Sequence, residues 1–193
     1  MHPDPFDQFE DWYAQARQSP HGFPEAMTLA TATPAGFPSA RMVLLRGWDR
    51  RGFRFFTNYQ SKKGNDLASN PNAALVFYWH EPGCQVRISG TAERLSAADS
   101  DEYFQKRPRG SQIGAWISQQ SQPIPAGLDL QERFAAFEAE MEGKEIPRPA
   151  NWGGYLLKPR EFEFWANRPY RLHDRFRYTR QEKGGWTSEK LFP

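Results

Sequence analysis

Near the end of the chain, "RLHDRF" (171–176) packs two guanidiniums, an imidazole and a carboxylate into six positions. Read as a strand, it sends Arg171, His173 and Arg175 to one face, because successive side chains alternate. Leu172, Asp174 and Phe176 then take the other. Three basic groups on one face meet either water or an anion.

Other segments offer the same chemistry. "ARMVLLRGW" carries Arg41 and Arg46 around an apolar run, and a guanidinium fork donates two parallel hydrogen bonds that suit phosphate. Strand ends reaching solvent would present the same two residues. "FFTNYQSKKG" places Thr57 and the pair Lys62-Lys63 where a strand passes into a helix. Backbone amides at a helix N-terminus favour an anion, and two ammoniums strengthen that preference. A lysine pair in a turn is ordinarily solvated, so a phosphate shared with Arg41 is the rival reading.

In "YFQKRPRGS", Tyr103 and Arg107 stand four apart on one helix face, Pro108 stops that helix, and Ser111 is placed to cap the next. A phenol, a guanidinium and a hydroxyl together suit a second phosphate; a Tyr-Arg surface pair is the plainer alternative. Gln120 and Ser121 add an amide and a hydroxyl in a loop, and Trp165 lies on a strand. Gln85, at the start of its strand, is unremarkable unless a polar heterocycle needs an edge partner.

These groups must be positioned by one domain of 193 residues. Aromatics carry much of the burial, with 15 Phe, 7 Tyr and 7 Trp. A net charge of +2 is too small to indicate a nucleic-acid binder. The single cysteine, Cys84, excludes an intrachain disulfide and fits a reducing compartment. His2, His21, His80 and His173 show no metal-ligand spacing. No apolar run spans a membrane and the N-terminus lacks a signal-peptide core, so a cytoplasmic protein is expected.

Residues 5–18 read as an amphipathic helix within an N-terminal segment 1–20. Strand-like runs follow at 26–33, 39–48 and 53–59, expected as an antiparallel meander. Next come a short helix from Ser61 and two strands at 73–80 and 84–95. Residues 96–145 form a helical insertion that opens on a capping box, Ser96 with Asp99. Residues 153–193 return to strands: "WGGYLLKP", "EFEFWAN", "RLHDRFRYTR" and "WTSEKLF". About six to eight strands with helices between them predict an α+β barrel.

The ordered set "ARMVLLRG", "FFTN", "SKKG", "QVRISG", "YFQKRPRGSQIGAW", "QQS", "WGGY", "EFW" and "RLHDR" resembles the pyridoxine/pyridoxamine 5′-phosphate oxidases. The resemblance runs from about residue 5 to the C-terminus. It implies a mainly antiparallel split β-barrel that forms a two-fold homodimer with FMN at the interface. It assigns the FMN phosphate to Arg41 and Lys63, helped by Lys62 and Thr57. Met42, Val43, Leu44, Leu45 and Arg46, with Phe56, would line the flavin. Gln85, Gln120, Ser121, Trp165 and Arg175 would complete the cofactor site, some of them from the partner chain. Tyr103, Arg107 and Ser111, with Arg46 beside them, would bind the substrate phosphate. Arg171 and His173 would lie over the pyridine ring.

The activity so implied is oxidation of pyridoxine 5′-phosphate and pyridoxamine 5′-phosphate to pyridoxal 5′-phosphate, with dioxygen reduced to hydrogen peroxide. Arg46 stands where the family usually has Lys, and Lys62 where Arg is common. Relatives often carry an N-terminal extension that helps close the site; here the first helix begins almost at once, leaving closure to another segment or to none. Two alternatives accompany the resemblance. One is an FMN split-barrel oxidase of the phenazine-biosynthesis type, and the other a non-catalytic protein that binds FMN or pyridoxal phosphate.

Overall fold

Apolar and polar side chains alternate along the strands, and that period of two builds a sheet with one buried face. β1 (Ala26–Ala32) buries Met27, Leu29 and Thr31; β5 (Asn72–Trp79) buries Ala73, Leu75, Phe77 and Trp79; β6 (Cys84–Arg94) buries Cys84, Val86, Ile88 and Ala92. The computed structural model describes residues 1–20 and 22–193; His21, counted above among the histidines, lies outside the described residues. No helix among the described residues is long and apolar enough to cross a membrane.

Among the described residues, nine strands form one antiparallel sheet. The others are β2 (Pro38–Leu44), β3 (Trp48–Asp49), β4 (Gly52–Asn58), β7 (Trp152–Ala166), β8 (Asp174–Arg180) and β9 (Trp186–Leu191). Their order is β2-β1-β5-β6-β7-β4-β3, with β8 added to β7 and β9 to β8. The expected meander is therefore corrected: β2 stands at one end of this order, and β4, beside β3, stands near the other. They meet only where the sheet rolls round, through Arg46 N–H to the Arg54 carbonyl and Arg54 N–H to the Gly47 carbonyl, both 2.8 Å. Nine strands exceed the six to eight expected, since the two-residue β3 forms inside a turn.

β7 makes the split. The runs "WGGYLLKP" and "EFEFWAN", expected as two strands, are one strand of 15 residues. One edge of β7 bonds β6 along its length. The other edge is shared: Trp152–Leu157 pairs with β4, and Glu161–Ala166 pairs with β8. At the handover the register with β6 slips, Gly90 facing Pro159 and Ser89 facing Glu161, so Arg160 is the extra residue of a bulge. Proline is tolerated there, and a Cβ on Gly90 would lie 2.0 Å from the Lys158 carbonyl oxygen.

α1 (Pro5–Ala16) is capped by Asp4, which accepts the Phe6 N–H at 2.8 Å. It lays Phe9 into the barrel core, with its ring 4.9 Å from Phe53 and 5.2 Å from Phe77. Arg50 holds the helix start through Asp4 and Asp7. α2 (Lys62–Ser69) follows β4. The insertion supplies α3 (Ala97–Gln105), α4 (Arg109–Ile117) and α5 (Leu130–Glu140). Ser96 caps α3 through the Asp99 N–H at 3.0 Å, as the capping box requires. α4 starts earlier than expected: Pro108 is its N-cap, and Ser111 sits inside its first turn. A second, small core joins Phe104, Ile113, Ile146 and Trp152 beneath these helices.

Phe9 is fully buried, so Phe9→Ala is expected to cost about 3–5 kcal/mol of unfolding free energy. Urea unfolding followed by tryptophan fluorescence checks this; a cost under about 1 kcal/mol would show that α1 docks without joining the cooperative core.

Candidate functional site

A cleft of about 420 Å³ opens between the ends of β2 and β4, the start of α2, and the helices α3 and α4. Its cations are Arg46, Lys63 and Arg107, and no carboxylate lines it among the described residues. This volume lies within the range of small-molecule sites.

Lys63 enters from the first turn of α2, which Ser61 caps by accepting the Gly64 N–H at 3.3 Å. Gly64 lets that turn approach closely, since a Cβ there would lie 2.2 Å from the Tyr59 carbonyl oxygen. The Lys63 ammonium donates to Gln120 Oε1 at 2.9 Å, Thr57 Oγ1 at 3.2 Å and Ser61 Oγ at 3.4 Å. All three acceptors are neutral. Burial lowers the Lys63 pKa to about 8, and the nearby Arg41 adds to that shift.

Arg107 leaves the end of α3 with its guanidinium 4.5 Å from the Trp152 ring centroid. Burial lowers its pKa, Tyr103 opposes that shift, and Arg46 reinforces it. Its Nη1 is buried without a hydrogen-bond partner. A buried cationic donor left so is costly, and an anion in the cleft would satisfy it. Phe56, Tyr103 and Trp152 form the adjoining wall, Phe56 stacking at 3.9 Å on Tyr103 and 5.5 Å on Trp152.

Of the residues expected at a site, Met42, Val43, Leu44, Arg46, Phe56, Thr57, Lys63, Tyr103, Arg107, Ser111 and Gln120 converge here. Arg41 and Lys62 stand behind the wall, turned to Asp66. Lys62 Nζ donates to Asp66 at 2.5 Å, while Arg41 donates to Thr31 Oγ1 at 2.8 Å and lies 3.9 Å from Asp66. Leu45 is buried in the barrel core. Ser121, in the left-handed region at φ 71°, borders a neighbouring hollow that shares Ser118 and Gln120 with the cleft. Sequence reasoning passed over Ser118 and Trp152 as site residues, and Asp66 altogether. Only the aromatic-glycine pair "WGG" hinted at Trp152: a Cβ on Gly153 would meet Tyr59 Oη at 2.1 Å.

The remaining residues gather elsewhere. Gln85, Trp165 and Arg175 face one another across β6, β7 and β8 in a single register row. The His173 ring lies 4.6 Å from Trp165. The expectation that 171–176 is one strand is corrected. Pro169–Arg171 is a 3-10 turn, with Tyr170 at φ 58° and Arg171 at φ 61°, and the strand begins at Asp174. Alternation thus does not govern Arg171 or His173. Asp174 balances charge, its carboxylate 2.7 Å from Arg168 and 3.0 Å from Lys190.

Neither Arg171, His173, Arg175, Gln85 nor Trp165 lines the cleft of its own chain. Trp152 and Trp165 stand near opposite ends of β7. At ~3.3 Å per residue the strand separates them by roughly 40 Å along its path. Within one chain the two groups therefore lie apart.

Residues 21–139 match the family described as pyridoxamine 5′-phosphate oxidase, and residues 152–193 match the pyridoxine 5′-phosphate oxidase C-terminal dimerisation region. A pyridoxine/pyridoxamine 5′-phosphate oxidase of Salinibacter ruber is 54% identical over 192 residues, covering 98% of this chain and 89% of that protein. Among solved structures, PhzG from Burkholderia lata, in complex with tetrahydrophenazine-1-carboxylic acid, is 34% identical. It superposes with a TM-score of 0.94 over 100% of this chain and 94% of its own. An FMN-binding protein of Nostoc punctiforme, 20% identical with a TM-score of 0.80 over the whole of both chains, shares the fold. With the split sheet, the cleft and these likenesses together, the chain belongs to the pyridoxine/pyridoxamine 5′-phosphate oxidase family.

Proposed function

We propose that the chain oxidises pyridoxine 5′-phosphate and pyridoxamine 5′-phosphate to pyridoxal 5′-phosphate, using FMN and dioxygen, as a homodimer whose partner completes each site. The observation that carries this reading is the orphaned guanidinium nitrogen of Arg107 in a cleft that holds three cations and, among the described residues, no acid. Both proposed ligands are phosphate esters. The donor set fits them: hydroxyls and amides to orient, fixed cations to pay for desolvation, and an aromatic wall to receive a flat ring.

Within one chain, Arg107, Tyr103, Ser111 and Arg46 hold the substrate phosphate. Lys63, Thr57 and Gln120 hold the cofactor phosphate, with Arg41 and Lys62, both paired to Asp66, behind them. The partner chain brings Gln85, Trp165 and Arg175 to the flavin, and Arg171 and His173 to the pyridine ring, where they orient and polarise it. The roughly 40 Å of β7 between the halves supports a second copy as their source. FMN, when bound, would supply the redox chemistry that takes a hydride from the vitamer and reduces dioxygen to hydrogen peroxide; with the amine substrate, water would then hydrolyse the imine and release ammonia. The chain's own work is to press two rings face to face and exclude alternative poses. An unphosphorylated phenazine-type substrate would leave the Tyr103–Arg107–Ser111 group without its anion, which disfavours that alternative.

Incubation of FMN-loaded protein with either vitamer in air is expected to release peroxide together with pyridoxal phosphate. Absence of peroxide with both would overturn the oxidase reading in favour of a binding protein. Arg171→Ala is expected to lower turnover about tenfold or more, the worth of one charged hydrogen bond, while FMN retention stays near wild type. Equal losses in both would misplace Arg171.

The lowered Lys63 pKa sets a pH dependence with a defined sign. Below about 8 the ammonium is charged and attracts phosphate; above it, the empty site loses that charge. FMN affinity should therefore fall as pH rises from about 7 to about 9, and Lys63→Arg should flatten the slope because a guanidinium keeps its proton. An unchanged slope in Lys63→Arg would assign the titration to another group.

A further inference from the structure

Glu163 is 7% exposed although it lies on the outer, solvent-side face of β7. Carboxylates are so buried only when paired. Its register neighbours are Arg87 on β6 and Arg177 on β8. Arg177 turns away to Glu189. Arg87 Nη1 donates to Glu163 Oε2 at 3.1 Å. Arg175, one row along β8, places Nε at 2.9 Å and Nη2 at 2.8 Å from Glu163 Oε1. Its third arm, Nη1, donates to the Phe192 carbonyl at 3.0 Å. Two nitrogens on one carboxylate oxygen fix the plane of the guanidinium, and the Phe192 carbonyl closes the remaining swing.

Trp165 lies directly across from Arg175 in the register, with Gln85 beyond it. Arg175 is thus a rigid member of the row that includes both, with Glu163 as its base. The side chain that sets its direction is not itself among the ligand-facing residues.

We propose that Glu163 is a positioning residue of the flavin site: it aims Arg175, and through Arg175 it governs FMN retention. The inference rests on the reading above that Arg175 meets the cofactor. Arg87, held by the other oxygen of the same carboxylate, serves as the control. Its loss removes an ion pair from Glu163 but leaves Arg175 aimed.

The test measures FMN release from the holoenzyme by recovery of flavin fluorescence in five variants: E163Q, R175M, R175K, R87M and the double E163Q/R175M. E163Q keeps size and shape but trades a charged acceptor for a neutral one, so it is expected to weaken FMN about fivefold. R175M and R175K should weaken it at least as much, since a lysine keeps the charge and loses the fork that Glu163 fixes. R87M should stay within about twofold of wild type, and E163Q should add less than about twofold in the R175M background, the signature of two residues acting as one.

Wild-type retention in E163Q alongside weakened R175M overturns the positioning role. So does a full E163Q effect in the R175M background, or a loss in R87M equal to that in E163Q, because each marks a general structural role. R175M without effect overturns instead the contact between Arg175 and the flavin, and the inference falls with it. Should E163Q fail to fold, R175K decides alone: wild-type retention there overturns the proposal, and loss equal to R175M supports it.

Discussion

The architecture depends on one shared edge. β7 offers its outer edge first to β4 and then to β8, with the Arg160 bulge marking the change of partner. A backbone edge can serve one neighbour at a time, so two strands that compete for it must lie end to end. That constraint opens the barrel and sets the two groups of candidate site residues toward the two ends of the same strand. Trp152 starts β7 and walls the cleft; Trp165, near its end, sits in the row with Gln85 and Arg175. The length of β7 keeps Trp152 and Trp165 far apart along the strand, and the C-terminal part of the chain, 152–193, is the part that matches a dimerisation region.

The charges are arranged in two tiers. Arg41 and Lys62 share Asp66, whose carboxylate burial pushes up and whose neighbours Lys62, Thr31 and Arg41 pull down to a net lowered pKa. Arg87 and Arg175 share Glu163. Arg46, Lys63 and Arg107, which face the cleft, meet no carboxylate there. Cations neutralised in place contribute orientation, and cations left bare contribute attraction. Burying the bare ones costs stability in the empty protein, as the lowered Lys63 and Arg107 pKa values record. An anionic ligand offsets that cost and should stabilise the fold when it binds.

Local pattern made much of this legible. The alternation of β1, β5 and β6, the Ser96–Asp99 cap and the Ser61 start of α2 all rest on contacts within a few residues. So does the clustering of Tyr103, Arg107 and Ser111 around the break at Pro108. What escaped notice depends on distant partners. Arg171 and His173 looked like strand residues because their types alternate, yet the backbone at Tyr170 and Arg171 turns left-handed after Pro169. The continuity of β7 through Pro159 needs Gly90 on another strand. Asp66 and Glu163 drew no reading from the sequence, because the arginines that meet them come from the distant strands β2, β6 and β8.

The position of the cleft at the seam of the barrel has a physical reason as well. β2 ends the sheet, so along Met42–Leu44 one side of its backbone pairs with β1 and the other has no strand beside it. An exposed edge is a row of unsatisfied donors and acceptors, and proteins ordinarily blunt such edges with charge or cover them. Here the charge is Arg46, held by the hydrogen bond of its N–H to Arg54 where the two sheet ends touch. A heterocycle with polar groups on its rim could pair with the free edge much as a neighbouring strand would, while its phosphate reached Lys63 beyond. Backbone recognition of this kind would give residues as plain as Met42, Val43 and Leu44, which line the cleft, a use that does not depend on their side chains.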